Sequence, residues 1–111
     1  KKDVDAFEKE ALAKYKVDLA AVPPRYRTSY FSHIWGGGYA AGYYAYFGAE
    51  VLDHDAFQWF RENGGLTREN GQVFREKILS IGHSRDLAKA YREFRGKEPS
   101  VEPLLEHRGL D

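Results

Sequence analysis

Residues 31–46 read FSHIWGGGYAAGYYAY, with a histidine, three consecutive glycines and then tyrosines spaced by four and three positions. On an α-helix this spacing places the three phenol rings within an arc of roughly 60°. The sequence therefore predicts a mobile turn of backbone followed by a rigid helical stripe of hydroxyl groups, which suits the holding of a polar substrate. The candidate site residues are His33, Gly36, Gly37, Gly38, Tyr39, Tyr43 and Tyr46.

The composition is that of one folded domain or part of one. Of the 111 residues 42% are hydrophobic, and 17 basic and 17 acidic side chains cancel. A neutral chain has no electrostatic attraction for nucleic acid or an anionic membrane, so we expect neither as a partner. The absence of cysteine excludes disulfides and thiolate metal sites, and it fits a cytoplasmic location. The chain begins Lys1-Lys2-Asp3 and lacks methionine, so we expect a piece of a longer protein.

Helical periodicity dominates the first half of the chain. Apolar residues recur at helical spacing from Asp3, a predicted cap, to Asp18, and Pro23-Pro24 stops this first helix. Residues 25–34 are a predicted connection. A second helix is predicted from Tyr39 to Glu62, and it is apolar on nearly every side, as a helix buried in a larger body would be.

The second half reads as shorter helices separated by glycines. The second helix is predicted to end at Asn63-Gly64-Gly65. A third helix is predicted from its cap Thr67 to Gly82, and a fourth from its cap Ser84 to Gly96. One more helical turn is predicted over residues 99–105. Alternating strand patterns of useful length do not occur. The predicted fold class is all-α, with four or so helices.

Several other kinds of site are disfavoured by the sequence. The apolar run Ile34–Leu52 contains one acid, but its tyrosines and glycines suit a buried helix better than a membrane span. The glycines lack the Gly-Lys-Ser/Thr ending of a phosphate loop. The four histidines are 21, 29 and 24 positions apart, so no His-Glu-x-x-His helix exists, and Asp53-His54-Asp55 is interpreted as a solvated helix face. No Gly-x-Ser-x-Gly elbow is present.

The group of His33 and the three tyrosines leaves two interpretations open. One is an aromatic cluster packed for stability. The other is a cleft for a peptide, favoured because three glycines cost helix stability and because buried phenols need hydrogen-bond partners.

The residues from Arg25 to Tyr46 closely resemble the C-terminal catalytic segment of the bacterial peptidyl-dipeptidases. These enzymes are zinc metallopeptidases of the thimet-oligopeptidase-like family. Residues 64–71, GGLTRENG, and the ending HRGL at 107–110 fit the same family, so the resemblance covers essentially the whole chain. It implies a nearly all-helical fold around a deep channel, a zinc ion held by two histidines and a glutamate, and release of dipeptides from peptide C-termini.

The resemblance also implies roles for the candidate residues. His33 would donate to a backbone carbonyl of the substrate, and Tyr46 would donate to the oxyanion of the tetrahedral intermediate. Tyr39 and Tyr43 would face the substrate, with Tyr39 swinging on the glycines at 36–38 as the cleft closes.

This chain lacks the His-Glu-x-x-His motif of that family. We therefore expect zinc to belong to the parent enzyme, no metal to be bound by this C-terminal fragment of the catalytic domain, and the 111 residues to be inactive alone. The expected partners are a peptide substrate and the remainder of the catalytic domain. The alternative is a non-catalytic helical interaction module, and in isolation we expect self-association through Tyr39 to Val51.

Overall fold

The computed structural model describes residues 1–110, and over that range it contains helices and turns but no strand. The predicted all-α fold class is confirmed. The chain divides into two compact units, residues 1–43 and a second unit that begins at Tyr44. The α-helices of the described part are α1 (Val4–Lys14), α2 (Ser32–Trp35), α3 (Ala45–Glu62), α4 (Arg68–Phe74), α5 (Leu87–Arg95) and α6 (Glu102–Arg108).

Helix α1 begins where the sequence predicts and ends earlier than it predicts. The side chain of Asp3 accepts a hydrogen bond from the Ala6 amide at 2.8 Å, which confirms the predicted cap. The helix ends because Lys16 takes a left-handed φ of 57° and the Val17 amide folds back to the Leu12 carbonyl at 3.0 Å. This turn stops the helix well before Asp18 and the two prolines.

The rest of the first unit is a short 3₁₀ turn, Thr28–Tyr30, followed by the single turn of α2. None of residues 1–43 is buried. Apolar packing therefore contributes little to this unit, and side-chain hydrogen bonds and ring contacts fix its local geometry.

Helix α3 begins at Ala45, so the prediction of a helix from Tyr39 was wrong. The glycines explain the late start, because Gly38 has a φ of +82° and Gly42 closes a four-residue turn by donating to the Tyr39 carbonyl at 3.2 Å. The predicted end at Glu62 is confirmed, and the Asn63 amide still bonds the last turn.

The core of the second unit lies where α3, α5 and α6 meet. Its buried apolar residues are Ala56, Phe60, Ala90, Phe94 and Leu104. Rings extend this core, since Phe94 lies 4.6 Å from Trp59 and 5.3 Å from Phe74. Only the later part of α3 enters the core. The expectation of a helix buried on all sides does not hold within this chain, because residues 44–49 are exposed.

Thr67 caps α4, as the sequence predicts, whereas the predicted cap of α5, Ser84, was wrong. The Thr67 hydroxyl accepts from the Asn70 amide at 3.2 Å. After α4 the chain makes a π-helical turn, Arg75–Leu79, closed by the Ser80 amide bonding to the Arg75 carbonyl at 2.8 Å.

Helix α5 is capped by Asp86, whose carboxylate accepts from the Lys89 amide at 2.7 Å, while the Ser84 hydroxyl donates to the Ile81 carbonyl at 2.6 Å. The predicted end at Gly96 is confirmed, with a φ of 79°. The last helix runs over Glu102–Arg108, a few residues beyond the predicted turn at 99–105. Over the part of the chain that the structure describes, no helix is both long enough and apolar enough to span a bilayer.

Candidate functional site

Four rings of the first unit gather around the His33 ring. The five together form what we call the aromatic cluster: Tyr26, Phe31, His33, Tyr39 and Tyr43. Tyr26 stacks on Phe31 at 5.1 Å, and Phe31 meets Tyr43 edge-on at 4.7 Å. The His33 ring lies 5.5 Å from Tyr26, 5.5 Å from Tyr43 and 6.1 Å from Tyr39. The structure therefore brings together three of the predicted site residues, one imidazole and two phenols.

The imidazole of His33 is held on the single turn of α2 and is partly shielded. Its Nδ1 atom is out of contact with water, and it has no hydrogen-bond partner among the residues that the structure describes. An unpaired buried nitrogen costs free energy. An added polar group, such as the backbone of a peptide, would relieve that cost once the cluster opened.

The three glycines follow directly and turn the chain back over His33. The Tyr39 amide donates to the His33 carbonyl at 3.0 Å, so the loop closes on the residue that starts it. A Cβ atom on Gly37 would lie 3.0 Å from the His33 Cα and 3.1 Å from its carbonyl oxygen. The structure thus gives Gly37 a steric reason for being glycine, and Gly38 a conformational one through its positive φ.

The predicted helical stripe of three tyrosines is not formed. Tyr39 and Tyr43 both precede α3 and meet edge-on at 6.1 Å, whereas Tyr46 lies on the first turn of α3 in the second unit. The stripe fails because Tyr39 precedes the helix. The Tyr46 side chain is 51% exposed.

A polar anchor that the sequence analysis missed holds the 3₁₀ turn ahead of the cluster. Glu8 accepts from both the backbone amide and the hydroxyl of Thr28, each at 2.9 Å, and pairs with Arg27 at 2.5 Å. The Thr28 carbonyl in turn accepts from the Trp35 indole N–H at 2.7 Å. The hydrogen bond from the Thr28 amide is the main reason why the pKa of Glu8 is lowered. Arg27 also pairs with Asp5 at 3.2 Å.

The second unit contains a buried charge network around Asp55, which is 1% exposed. Its Oδ2 atom accepts from the Tyr91 hydroxyl at 2.8 Å and lies 3.2 Å from Arg95 Nε. Arg95 also binds Glu62 with both terminal nitrogens, at 2.6 and 3.1 Å. The interpretation of the 53–55 triplet as a solvated face was therefore wrong for Asp55. Its position, one helical turn before the large apolar residue Trp59, is the signal that could have revealed its burial.

This network shifts the ionisation of its members. The hydrogen bonds from Arg95 hold the pKa of Glu62 below its usual 4.5. Burial, and then the hydrogen bond to Asp55, raise the pKa of Tyr91 far above its usual 10.0. These contacts join α3 to α5 and stabilise the packing of the two helices.

The residues described here do not fit the zinc ion that the resemblance implies. The rings of His54 and His107 lie 4.4 Å apart. Within residues 1–110, however, no three histidine, aspartate or glutamate side chains are grouped so that they could hold a metal ion. No catalytic step is therefore assigned to a metal within this chain.

The geometry alone does not define a class of protein, and comparison with known families supplies it. The sequence matches Peptidase family M3 over residues 1–110, and the chain belongs to that family. It is 62% identical over 109 residues to the dipeptidyl carboxypeptidase of Escherichia coli (strain K12), a match that covers 98% of this chain and 16% of that protein.

Two further relatives are oligopeptidases. Oligopeptidase A of Escherichia coli (strain K12) is 47% identical over 105 residues, which is 91% of this chain and 15% of the relative. The organellar oligopeptidase A of Arabidopsis thaliana is 49% identical over 106 residues, 87% of this chain and 13% of the relative. The chain thus spans no more than 16% of the length of these three relatives.

Proposed function

We propose that this chain is the C-terminal, substrate-binding and oxyanion-stabilising part of a zinc peptidyl-dipeptidase, an enzyme that releases dipeptides from the C-termini of peptides. The name of the dipeptidyl carboxypeptidase relative supports this reaction, as does the 62% identity to it. The share of the relatives that the chain covers supports its being one part of a larger catalytic domain.

The observation that carries the proposal is the aromatic cluster with the shielded, unpaired Nδ1 of His33 at its centre. A cluster packed only for stability gains nothing from an unsatisfied imidazole nitrogen, since an apolar ring would avoid the desolvation cost. A peptide backbone offers both donors and acceptors to such a group. In this proposal His33 donates to a substrate carbonyl, while Tyr39 and Tyr43 position the peptide and the glycines at 36–38 let Tyr39 move.

Tyr46 has a separate role in the proposal, that of donating a hydrogen bond to the oxyanion. Its half-exposed phenol on the first turn of α3 leaves room for a substrate to approach. A preorganised donor of this kind stabilises the transition state more than the ground state.

The metal would come from elsewhere in the complete enzyme. A zinc ion supplies an activated water and polarises the scissile carbonyl when it is bound. Because the sequence has no His-Glu-x-x-His motif, we place the ligands in other segments of the complete enzyme.

A Tyr46→Phe substitution in the complete peptidase tests the oxyanion role. Removal of one oxyanion donor lowers kcat by about 10²–10³ in comparable sites, and we expect a loss of at least about tenfold with little change in KM or Tm. Tyr44→Phe is the matched control, because Tyr44 is 77% exposed two positions earlier. Unchanged turnover together with a lowered Tm would contradict the oxyanion role and favour the interaction module.

The isolated 111-residue chain is expected to hydrolyse no peptide, with or without added zinc. The reason is that the metal, the water it activates and the general base would all be missing together. Peptide cleavage followed by mass spectrometry checks this, and turnover by the purified chain that is abolished by a chelator would contradict it.

A non-catalytic interaction module is the second candidate. The exposed apolar side chains at the start of α3, Tyr44 and Phe47, favour it, since such side chains are common at contact surfaces. For location we propose the cytoplasm, supported by the lack of cysteine and by the name of one relative, the probable cytosolic oligopeptidase A of Arabidopsis thaliana.

A further inference from the structure

The contacts of Glu8 make it the strongest polar link between α1 and the segment that leads to His33. Its side chain is only 12% exposed although it lies on a helix with no buried residue. It accepts two hydrogen bonds from Thr28 and pairs with Arg27. These three contacts with the Glu8 carboxylate hold the 3₁₀ turn at its first residue, Thr28, and at Arg27 directly before it.

Thr28 passes this restraint on to the glycine turn. While its amide and hydroxyl bind Glu8, its carbonyl accepts from the Trp35 indole at 2.7 Å. Trp35 is the last residue of α2, directly before Gly36, and the same short helix carries His33. The Trp35 side chain is 69% exposed, so this hydrogen bond rather than burial orients it. The upstream end of the glycine turn is thereby tied to α1 through three residues.

We infer that Glu8 is a positioning residue for the His33 site, acting through Thr28 and Trp35 to hold the fixed end from which residues 36–38 move. This inference rests on the proposed function of His33. A glycine turn transmits motion to Tyr39 only if its other end is stationary. In a unit without buried residues the polar relay supplies that stationary end.

The test uses the complete peptidase with two readouts. Hydrogen–deuterium exchange, measured by mass spectrometry on peptides covering residues 27–38, reports the restraint itself, and kcat and KM report its use. Glu8→Ala removes all three contacts, so exchange over residues 27–38 rises. Because misplacement of a catalytic group by 1 Å can cost about 10²-fold, we expect kcat to fall at least about tenfold while KM stays nearly constant.

Matched variants separate positioning from general destabilisation. Glu10→Ala removes the same charge from the same helix, at an exposed residue for which the structure gives no side-chain partner, and should change neither readout. Glu8→Gln keeps a carbonyl oxygen for the Thr28 amide and hydroxyl and should restore part of kcat. Trp35→Phe breaks the relay further along, so its effect on kcat should not add to that of Glu8→Ala.

The possible outcomes are distinct. The relay is overturned if hydrogen–deuterium exchange over residues 27–38 is unchanged in Glu8→Ala. It is also overturned if the losses of kcat from Glu8→Ala and Trp35→Phe add up in the double variant. If His33→Gln and Tyr46→Phe lose activity while Glu8→Ala keeps it, the positioning role fails and the proposed function stands. If His33→Gln and Tyr46→Phe both keep full activity, the proposed function fails and the positioning role is overturned with it, whatever the exchange data show.

Discussion

The three glycines at residues 36–38 meet different structural requirements. The sequence predicts a mobile joint there, and that prediction treats the three residues alike. In the structure Gly37 lies against the backbone of His33, Gly38 has a positive φ, and Gly36 has its nearest neighbour at an ordinary 3.6 Å. The difference depends on how the chain folds back on His33, which spacing along the sequence does not reveal.

Gly37→Ala is therefore expected to disturb the site, and Gly36→Ala is not. The added methyl group would meet His33 backbone atoms at 3.0–3.1 Å, and a backbone cannot rotate away as a side chain can. Overpacking of this kind costs about 1–3 kcal/mol and would shift His33. Measurement of kcat and of Tm in the complete peptidase checks this.

The matched variant Gly36→Ala should leave Tm unchanged or raise it slightly, because its Cβ atom would lie at an ordinary 3.6 Å from the Ser32 carbonyl oxygen and alanine restricts the unfolded chain more than glycine. A neutral Gly37→Ala would show that the turn tolerates a Cβ atom at this position. Equal losses from both substitutions would show that the glycines serve mobility rather than close packing against His33.

At the same scale, the sequence predicted part of the aromatic cluster correctly. His33, Tyr39 and Tyr43 do meet, although through turns rather than along a helix. Tyr26 and Phe31 were not recognised as members because residues 25–34 lack a period from which facing side chains can be predicted. Glu8 was missed because an acid on an amphipathic helix looks solvated until its partner, 20 positions away, is known.

Helices are predicted best where their signals are local. The caps Asp3 and Thr67 bind amides three residues ahead, so their patterns are readable directly. Ser84 and Asp86 are both good caps two residues apart, and the sequence alone does not decide between them. The start of α3 was misplaced by six residues, because the tyrosine periodicity outweighed the cost of glycine in the prediction.

The link between α3 and α5 can be tested at Tyr91. Its hydroxyl binds Asp55 at 2.8 Å and the Leu52 carbonyl at 3.1 Å. Tyr91→Phe should lower the free energy of unfolding by about 1–3 kcal/mol at pH 7, since it leaves the buried carboxylate short of a donor. Urea unfolding measures this, and Tyr44→Phe on the exposed part of the chain is the control.

The pH dependence gives an independent check on the same contact. Because the pKa of Tyr91 is raised in the folded state, its stabilising effect is complete below the usual value of 10.0 and is lost as the pH rises above it. The difference in unfolding free energy between wild type and Tyr91→Phe should therefore stay constant below about pH 10 and narrow as the pH rises above it. A difference that stays constant there as well would mean that the hydroxyl titrates normally.

At the scale of the whole molecule, the two units differ in how they are stabilised. Residues 1–43 have no buried member and depend on the Glu8 anchor and the ring cluster, whereas the second unit has an apolar core and a buried charge network. The all-α class followed from periodicity, but this difference did not, because burial depends on which helices meet.

Self-association of the isolated chain remains a prediction for this scale. Within the predicted surface, Tyr44 directly before α3 is 77% exposed and Phe47 on its first turn is 65% exposed. Apolar surface of this kind favours contact with a second copy. Sedimentation velocity should show a mass that rises with concentration, and Phe47→Ser should reduce the rise while Leu66→Ser, at a residue 75% exposed outside this helix, should not. A single monomeric species at high concentration would contradict the prediction.

The buried pairing of Asp55 with Arg95 has a consequence for how this protein can change over generations. Loss of Arg95 would leave the buried Asp55 carboxylate without a counter-ion, at a cost of about 3–5 kcal/mol, and loss of Asp55 would leave buried Arg95 with only the partly exposed Glu62. Joint replacement of the pair by two apolar residues can be neutral. A substitution at Asp55 or Arg95 alone is therefore expected to be destabilising. Descendants of this chain are expected to inherit the two charges together or to have exchanged both.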